Sequence, residues 1–171
     1  ALQQSFFILY WDHIVTGQYS LEEYLRPTLM EIAPHLSYDA FITYWFENDA
    51  RLNGKFLDEL RQLRDTDIKV YLVTNQEHLR ALYLMGQLGL GQHCDGIYYS
   101  AALGTRKPDH AFFEQVATLS DIPPEQLLLI DDTPANVTAA RALGWMAIEW
   151  NNQASLFTEV LKLQSDHFLS L

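Results

Sequence analysis

Apolar positions recur at helical spacing early in the chain: Leu21, Tyr24, Leu25 and Leu29 share one stripe. Ser20 followed by Glu23 forms a capping-box pattern ahead of that run. Ser37 is a second candidate cap, opening a helix through Tyr38, Phe41, Ile42 and Trp45. Residues 1–50 therefore read as a small helical bundle. The chain also opens inside such a pattern, because Phe6 to Trp11 is apolar and no capping residue precedes it. Its first residue is Ala1, not methionine, and the true beginning of the protein is expected upstream.

From residue 51 onward the pattern changes to helices alternating with short aliphatic runs, the signature of a parallel sheet wrapped by helices. A helix carrying Phe56, Leu60 and Leu63 leads to a predicted strand at Ile68–Val73. A helix with Leu79, Leu82 and Met85 leads through Gly91 and Gly96 to a strand at Ile97–Tyr99. Next, a helix with Phe112, Val116 and Leu119 feeds a strand at Leu127–Ile130, then a helix from Pro134 to Leu143 and a last strand at Trp145–Trp150. The fold class that follows is α/β over residues 51–171, preceded by the helical unit at 1–50.

Composition narrows the partners. With 49% apolar, 13% aromatic and 19% charged residues, 171 residues support a real core. Half of the aromatics and seven acidic residues against one basic fall in the first 50 positions, which marks that stretch as a distinct unit. The net charge of -11 repels phosphate backbones and anionic lipid, so nucleic acid and membrane surfaces are poor partners. No apolar run approaches the roughly 18 residues that span a bilayer, no signal peptide is visible, and the lone Cys94 fits a reducing compartment. The protein is read as cytoplasmic.

Three strand ends deliver polar residues into turns: Thr74 and Asn75 after KVYLV, Lys107 in SAALGTRKPD, and Asp131 with Asp132 after LLLI. In an open parallel sheet, ligands bind beyond the carboxyl ends of the strands, so these five side chains are expected to converge. Adjacent carboxylates repel, and a hard cation such as Mg²⁺, which takes oxygen ligands, relieves that. The plain alternative is that one of the two caps the helix near Pro134, although a cap takes one Asp and not two. Thr74 and Asn75 stand where a strand turns into a helix, a place for a phosphate or for ordinary capping. Pro108 is expected to occupy the first position of a helix, leaving the Lys107 ammonium at that helix mouth, unless Lys107 is a solvated surface residue. The histidines His13, His35, His78, His93, His110 and His167 show no metal-ligand spacing. Ser100 and Ser155 lie in no nucleophile elbow.

YLVTNQ, SAALGTRKPD and LLLIDDTPANVTAARALG, in this order and at these intervals, resemble motifs two, three and four of the haloacid dehalogenase (HAD)-like hydrolase superfamily. TGQYSLEEYL and LSYDAFITYW resemble the helical cap of its small-helical-cap subclass, and the likeness is greatest to sugar-phosphate phosphatase-like members. The resemblance implies a Rossmann-like core and a phosphatase of small phosphorylated metabolites. It implies Thr74 and Asn75 on the transferring phosphoryl group, Lys107 neutralising it and the nucleophile, and Asp131 and Asp132 holding Mg²⁺. The first motif of that family, D-x-D-x-T, supplies the nucleophilic aspartate, and it does not occur here. The nearest approach, Asp12-His13-Ile14-Val15-Thr16, carries Ile14 where the second carboxylate belongs, so Asp12 reads as a cap residue and the motif is expected upstream of Ala1. Two alternatives stay open. One is a dehalogenase acting on carbon, disfavoured because that reaction needs no metal; the other is a non-catalytic binding or regulatory protein on the same scaffold.

Overall fold

The structure, a computed structural model, describes residues 1–151 and 155–168, without the side chains of 164–168. Residues 152–154 and 169–171, at the far end of the expected α/β unit, and the His167 side chain lie outside the described residues.

A short π-helical segment, Gln3–Phe7, runs into α1 (Ile8–Val15), followed by α2 (Leu21–Ile32) and α3 (Tyr38–Asn48). Their stripes close on a core of Phe6, Ile14, Leu21, Leu25, Leu29 and Tyr38. Around it run T-shaped and tilted ring contacts such as Phe7–Trp45 and Tyr10–Tyr24, the geometry that ring quadrupoles favour. Ser37 caps α3 as expected, its hydroxyl accepting from the Ala40 amide at 3.2 Å. Ser20 does not repeat this. It is extended at the start of α2, but its side chain makes no capping bond, and Glu22 and Glu23 in the first turn favour the positive helix end instead.

The remainder alternates helices and parallel strands. α4 (Gly54–Arg64) is capped by Asn53 and precedes β1 (Tyr71–Thr74). α5 (His78–Met85), β2 (Gly96–Tyr99), the short α6 (Ser100–Leu103) and α7 (His110–Ser120) follow. β3 (Leu128–Asp131), α8 (Pro134–Ala142), β4 (Met146–Glu149) and α9 (Leu156–Phe168) complete the chain. The strand boundaries differ from the expected ones for visible reasons. The Asp95 carboxylate takes the Val70 amide at 2.8 Å, and the Asp95 amide takes the Val70 carbonyl, so ladder pairing begins only at Tyr71. Likewise the Trp145 amide closes the end of α8 on the Ala140 carbonyl, which delays β4 to Met146.

The fold is α/β and Rossmann-like, with its strands in two parallel pairs, β1–β2 and β3–β4; no ladder joins one pair to the other among the described residues. Both faces are nevertheless covered, as parallel sheets require. On one face Phe112, Phe113 and Val116 of α7 pack with Leu129 of β3 and against Val73 of β1. On the other, Leu60 and Leu63 of α4 and Leu156 and Val160 of α9 pack against Val70, Leu128 and Ile130. The two pairs are thus parts of one layer held by shared helices. An apolar cavity of about 370 Å³ lies against α4, lined in part by Leu60 of α4, Leu72 of β1, Cys94 and Trp150 just past β4.

Candidate active site

β3 alternates faces, so Asp131 shares the side of Leu129 and ends buried at the carboxyl end of the strand, while Asp132 emerges into the turn, exposed. Asp131 has three partners. One oxygen accepts from the Thr133 amide at 2.9 Å and the Asn136 side-chain amide at 3.0 Å, and the other lies 2.5 Å from Lys107 Nζ. Burial pushes its carboxyl up, but the Lys107 bond, then Asn136 and the Thr133 amide, outweigh that, and its pKa lies below the usual carboxylate range. Among the described residues Asp132 has the Thr133 hydroxyl as its partner, at 3.3 Å from one oxygen.

Lys107 is carried by the loop between α6 and α7. The Asn75 side chain grips its backbone from β1, donating to the Lys107 carbonyl and accepting from the Lys107 amide, both at 2.9 Å. The bond to Pro108 is cis, and the turn closes by the Asp109 amide donating to the Arg106 carbonyl at 2.8 Å. Pro108 therefore does not start the helix as expected; α7 begins at His110 behind Asp109. Lys107 is no solvated lysine either, since its side chain is 10% exposed.

The helix after β1 also begins later than expected. α5 starts at His78, and the buried carboxylate of Glu77 accepts from the amides of Leu79 and Arg80, so those donors are spent within the chain and do not face Asn75. Burial pushes the Glu77 carboxyl up, although both amides and Arg80 pull the other way. Asn75 acts as a brace, and the Thr74 hydroxyl makes no hydrogen bond among the described residues. The structure thus links Asn75, Lys107 and Asp131 directly, with Thr74 and Asp132 flanking them.

Four participants escaped the sequence reading. Asn136 was visible only as an Asn five residues beyond Asp131, on the first turn of α8. Arg106 pairs with Asp12 of α1 at 2.7 Å, joining the helical unit to the Lys107 loop. Glu77 and Arg80 carried no motif at all. Asp12 itself sits within α1 and not at a strand end. Cys94 is a structural thiol, buried, with Sγ 3.2 Å from the Leu90 carbonyl, and burial pushes its pKa up. The Ser100 hydroxyl is spent on the Gln76 carbonyl at 3.2 Å.

The arrangement suits a divalent cation only in part. Among the described residues no three His, Cys, Asp or Glu side chains gather as a ligand set. Mg²⁺ keeps several waters and takes one or two carboxylates plus substrate phosphate, and the exposed Asp132 carboxylate fits one such place. Asp131, held by Lys107, Thr133 and Asn136, orients the ammonium, and its oxygen facing Lys107, with that one partner, keeps room for a further ligand.

A parallel layer with a carboxylate–lysine centre at the strand ends, beside a helical unit, defines an α/β protein with a candidate site where open parallel sheets bind ligands. The chain belongs to the haloacid dehalogenase-like hydrolase family, whose profile matches residues 9–144. It is 30% identical over 118 residues to a sesquiterpene phosphatase from Aspergillus oryzae, across 66% of this chain and 58% of that protein. It is 31% identical over 87 residues to a phosphoglycolate phosphatase from Pseudomonas fluorescens, across 51% of this chain and 32% of that one. The matches thus span from a third to somewhat over half the length of these relatives. A HAD family enzyme from Bacteroides thetaiotaomicron, solved with magnesium and inorganic phosphate, shares the fold at a TM-score of 0.75 and 19% identity, covering 92% of this chain and 83% of that one. No helix among the described residues is long and apolar enough to cross a membrane.

Proposed function

We propose that the complete protein is a Mg²⁺-dependent phosphatase of small phosphorylated metabolites, working through an aspartyl-phosphate whose nucleophile lies outside these 171 residues. The observation that carries the reading is the buried Lys107–Asp131 pair held against Asn75 at the strand ends. Asp131 and Asn75 fix the ammonium in place, so it meets a phosphoryl group without reorganising, which is where electrostatic stabilisation is worth most. The Thr74 hydroxyl can donate to a phosphoryl oxygen. Asp132 would hold Mg²⁺, which when bound neutralises phosphoryl charge. A strand bearing the nucleophile fits between β1 and β3, since each pair keeps an edge open and no ladder joins the pairs among the described residues. The helical unit at 1–50 would serve as the lid over the α/β unit at 51–171, and the phosphatases among its relatives support the substrate class.

The test uses the complete protein with p-nitrophenyl phosphate. Turnover is expected with Mg²⁺, is lost with a chelator, and is abolished by Asp132→Asn; metal-independent turnover refutes the proposal. A second reading, a binding protein on the same scaffold, is favoured by one observation: Asp12, in the nearest approach to a nucleophile motif, is helical and paired with Arg106. That reading expects no turnover even from the complete protein.

A further inference from the structure

Arg80 is the one arginine that the fold buries among the described residues, with 6% of its surface exposed. A guanidinium taken out of water is costly unless paired and hydrogen-bonded, so its partners show what the burial serves. Nη1 donates to the Phe46 carbonyl at 2.8 Å, Nη2 lies 3.5 Å from Asp49, and the guanidinium covers the rings of Phe46 and Tyr83 at 4.8 and 5.2 Å. Apart from Tyr83, every one of these belongs to the last turn of α3 or the residue after it. The Phe46 carbonyl is among the four that a helix leaves unsatisfied at its negative end. A cation from α5 therefore caps a helix of the other unit, and it is solvated by protein only while the end of α3 stays in place.

From Arg80 a continuous series of contacts runs to the site. Its amide and that of Leu79 donate to Glu77, which follows Thr74, Asn75 and Gln76 directly. The Gln76 carbonyl accepts from the Ser100 hydroxyl and the Ala101 amide, each at 3.2 Å, and Asn75 grips Lys107. Elsewhere the helical unit is held less firmly. Asp12–Arg106 is an ion pair whose side chains are 74% and 39% exposed, the class that contributes little. Gly17 merely abuts the Ala101 backbone.

We propose that Arg80 is a positioning residue: it pins the end of α3 to the start of α5, so that the helical unit rocks about this point while the Thr74–Asn75 turn keeps its register with the unit. Its catalytic consequence rests on the phosphatase reading; its geometry does not.

The first arm measures the distance between spin labels at Glu47→Cys and Glu114→Cys in this chain, with Cys94 replaced by Ala. A narrow distribution is expected, unchanged by Arg106→Gln, broadened by Arg80→Met and broadened less by Arg80→Lys, which keeps the charge but not the planar fork. Should Arg80→Met not fold, Arg80→Lys decides. A width equal to the parent's at Arg80, or equal broadening by Arg106→Gln, overturns the proposal. The second arm follows p-nitrophenyl phosphate turnover in the complete protein, where Arg80→Lys is expected to lower kcat about tenfold with KM nearly unchanged. An unchanged kcat also overturns it. A parent protein without turnover refutes the phosphatase reading alone, since the distances still decide whether Arg80 is the pivot.

Discussion

Replacing Lys107 by Met leaves the Asp131 carboxylate buried without its cation. The two side chains are 10% and 6% exposed and 2.5 Å apart, so the change falls among broken buried pairs, which lose about 3–5 kcal/mol. Asp131 keeps its bonds from Thr133 and Asn136, each worth roughly 1.5–3 kcal/mol to a charged group, and the expected loss at neutral pH is about 2–4 kcal/mol. The pH dependence has a definite sign. In the parent, burial raises the Asp131 pKa but Lys107, Asn136 and Thr133 together bring it below its ordinary value, so its stabilisation is complete above the unfolded pKa of about 3.9 and fades as pH falls through the folded one. Without Lys107 the largest of the lowering causes is gone and burial is opposed only by Asn136 and the Thr133 amide, so the folded pKa rises relative to the parent's and the variant loses less than the parent on acidification. The gap between parent and variant in urea unfolding should therefore narrow from about pH 7 to about pH 4. A second change, Asp131→Asn in the Lys107→Met background, should recover most of the loss at neutral pH. A loss below about 0.5 kcal/mol, or one equal at both pH values, refutes the reasoning.

Asp132→Asn is expected to shift unfolding free energy by less than about 0.5 kcal/mol, because Asp132 is exposed, while abolishing Mg²⁺-dependent turnover of the complete protein; a large stability loss would make Asp132 structural. Gly17→Ala should destabilise by well over about 1 kcal/mol, since φ is +73° and the new Cβ would lie 2.2 Å from the Ala101 carbonyl oxygen; an unchanged urea midpoint would show that this contact is not made. Tyr38→Phe should be neutral or stabilising by up to about 1 kcal/mol, because the buried hydroxyl has no partner among the described residues and burial pushes its pKa up to about 12; a loss above about 1 kcal/mol in thermal unfolding would mean that the hydroxyl is bonded.

Much of the layout was legible because it rests on periodicity and on turn chemistry. Four strands, the helices between them and the Ser37 cap follow from local pattern, and the strand-end positions of Thr74 and Asp131 follow with them, whereas Lys107 reaches the site from the loop after α6 and not from the end of β2. What stayed hidden depends on contacts between distant segments. Asp95 shortens β1 by taking the Val70 amide from 25 residues away, and nothing local marks that. Adjacent aspartates read alike in sequence, yet the strand's alternation buries Asp131 against Lys107 and turns Asp132 outward. Glu77 caps α5 two residues after Asn75, which moves the helix start away from the site in a way that a strand-then-helix pattern does not disclose.

The site's polar contacts also carry a structural duty that its chemistry does not require. Among the described residues the pairs β1–β2 and β3–β4 share no ladder, so their alignment there depends on the helices above and below and on what crosses at the carboxyl ends. There Asn75 from the first pair holds the Lys107 backbone, and the Lys107 side chain holds Asp131 of the second. One lysine is thus both the cation aimed at a phosphoryl group and the tie between the half-sheets. A variant that loses the tie should open the gap between β1 and β3. Amide exchange of the β3 strand should then rise in Lys107→Met beyond what the loss of global stability accounts for, whereas the β1–β2 ladder, whose Asn75 keeps the Lys107 backbone in the variant, should change only with the global term. Equal acceleration in both pairs would show that the shared helices alone align them.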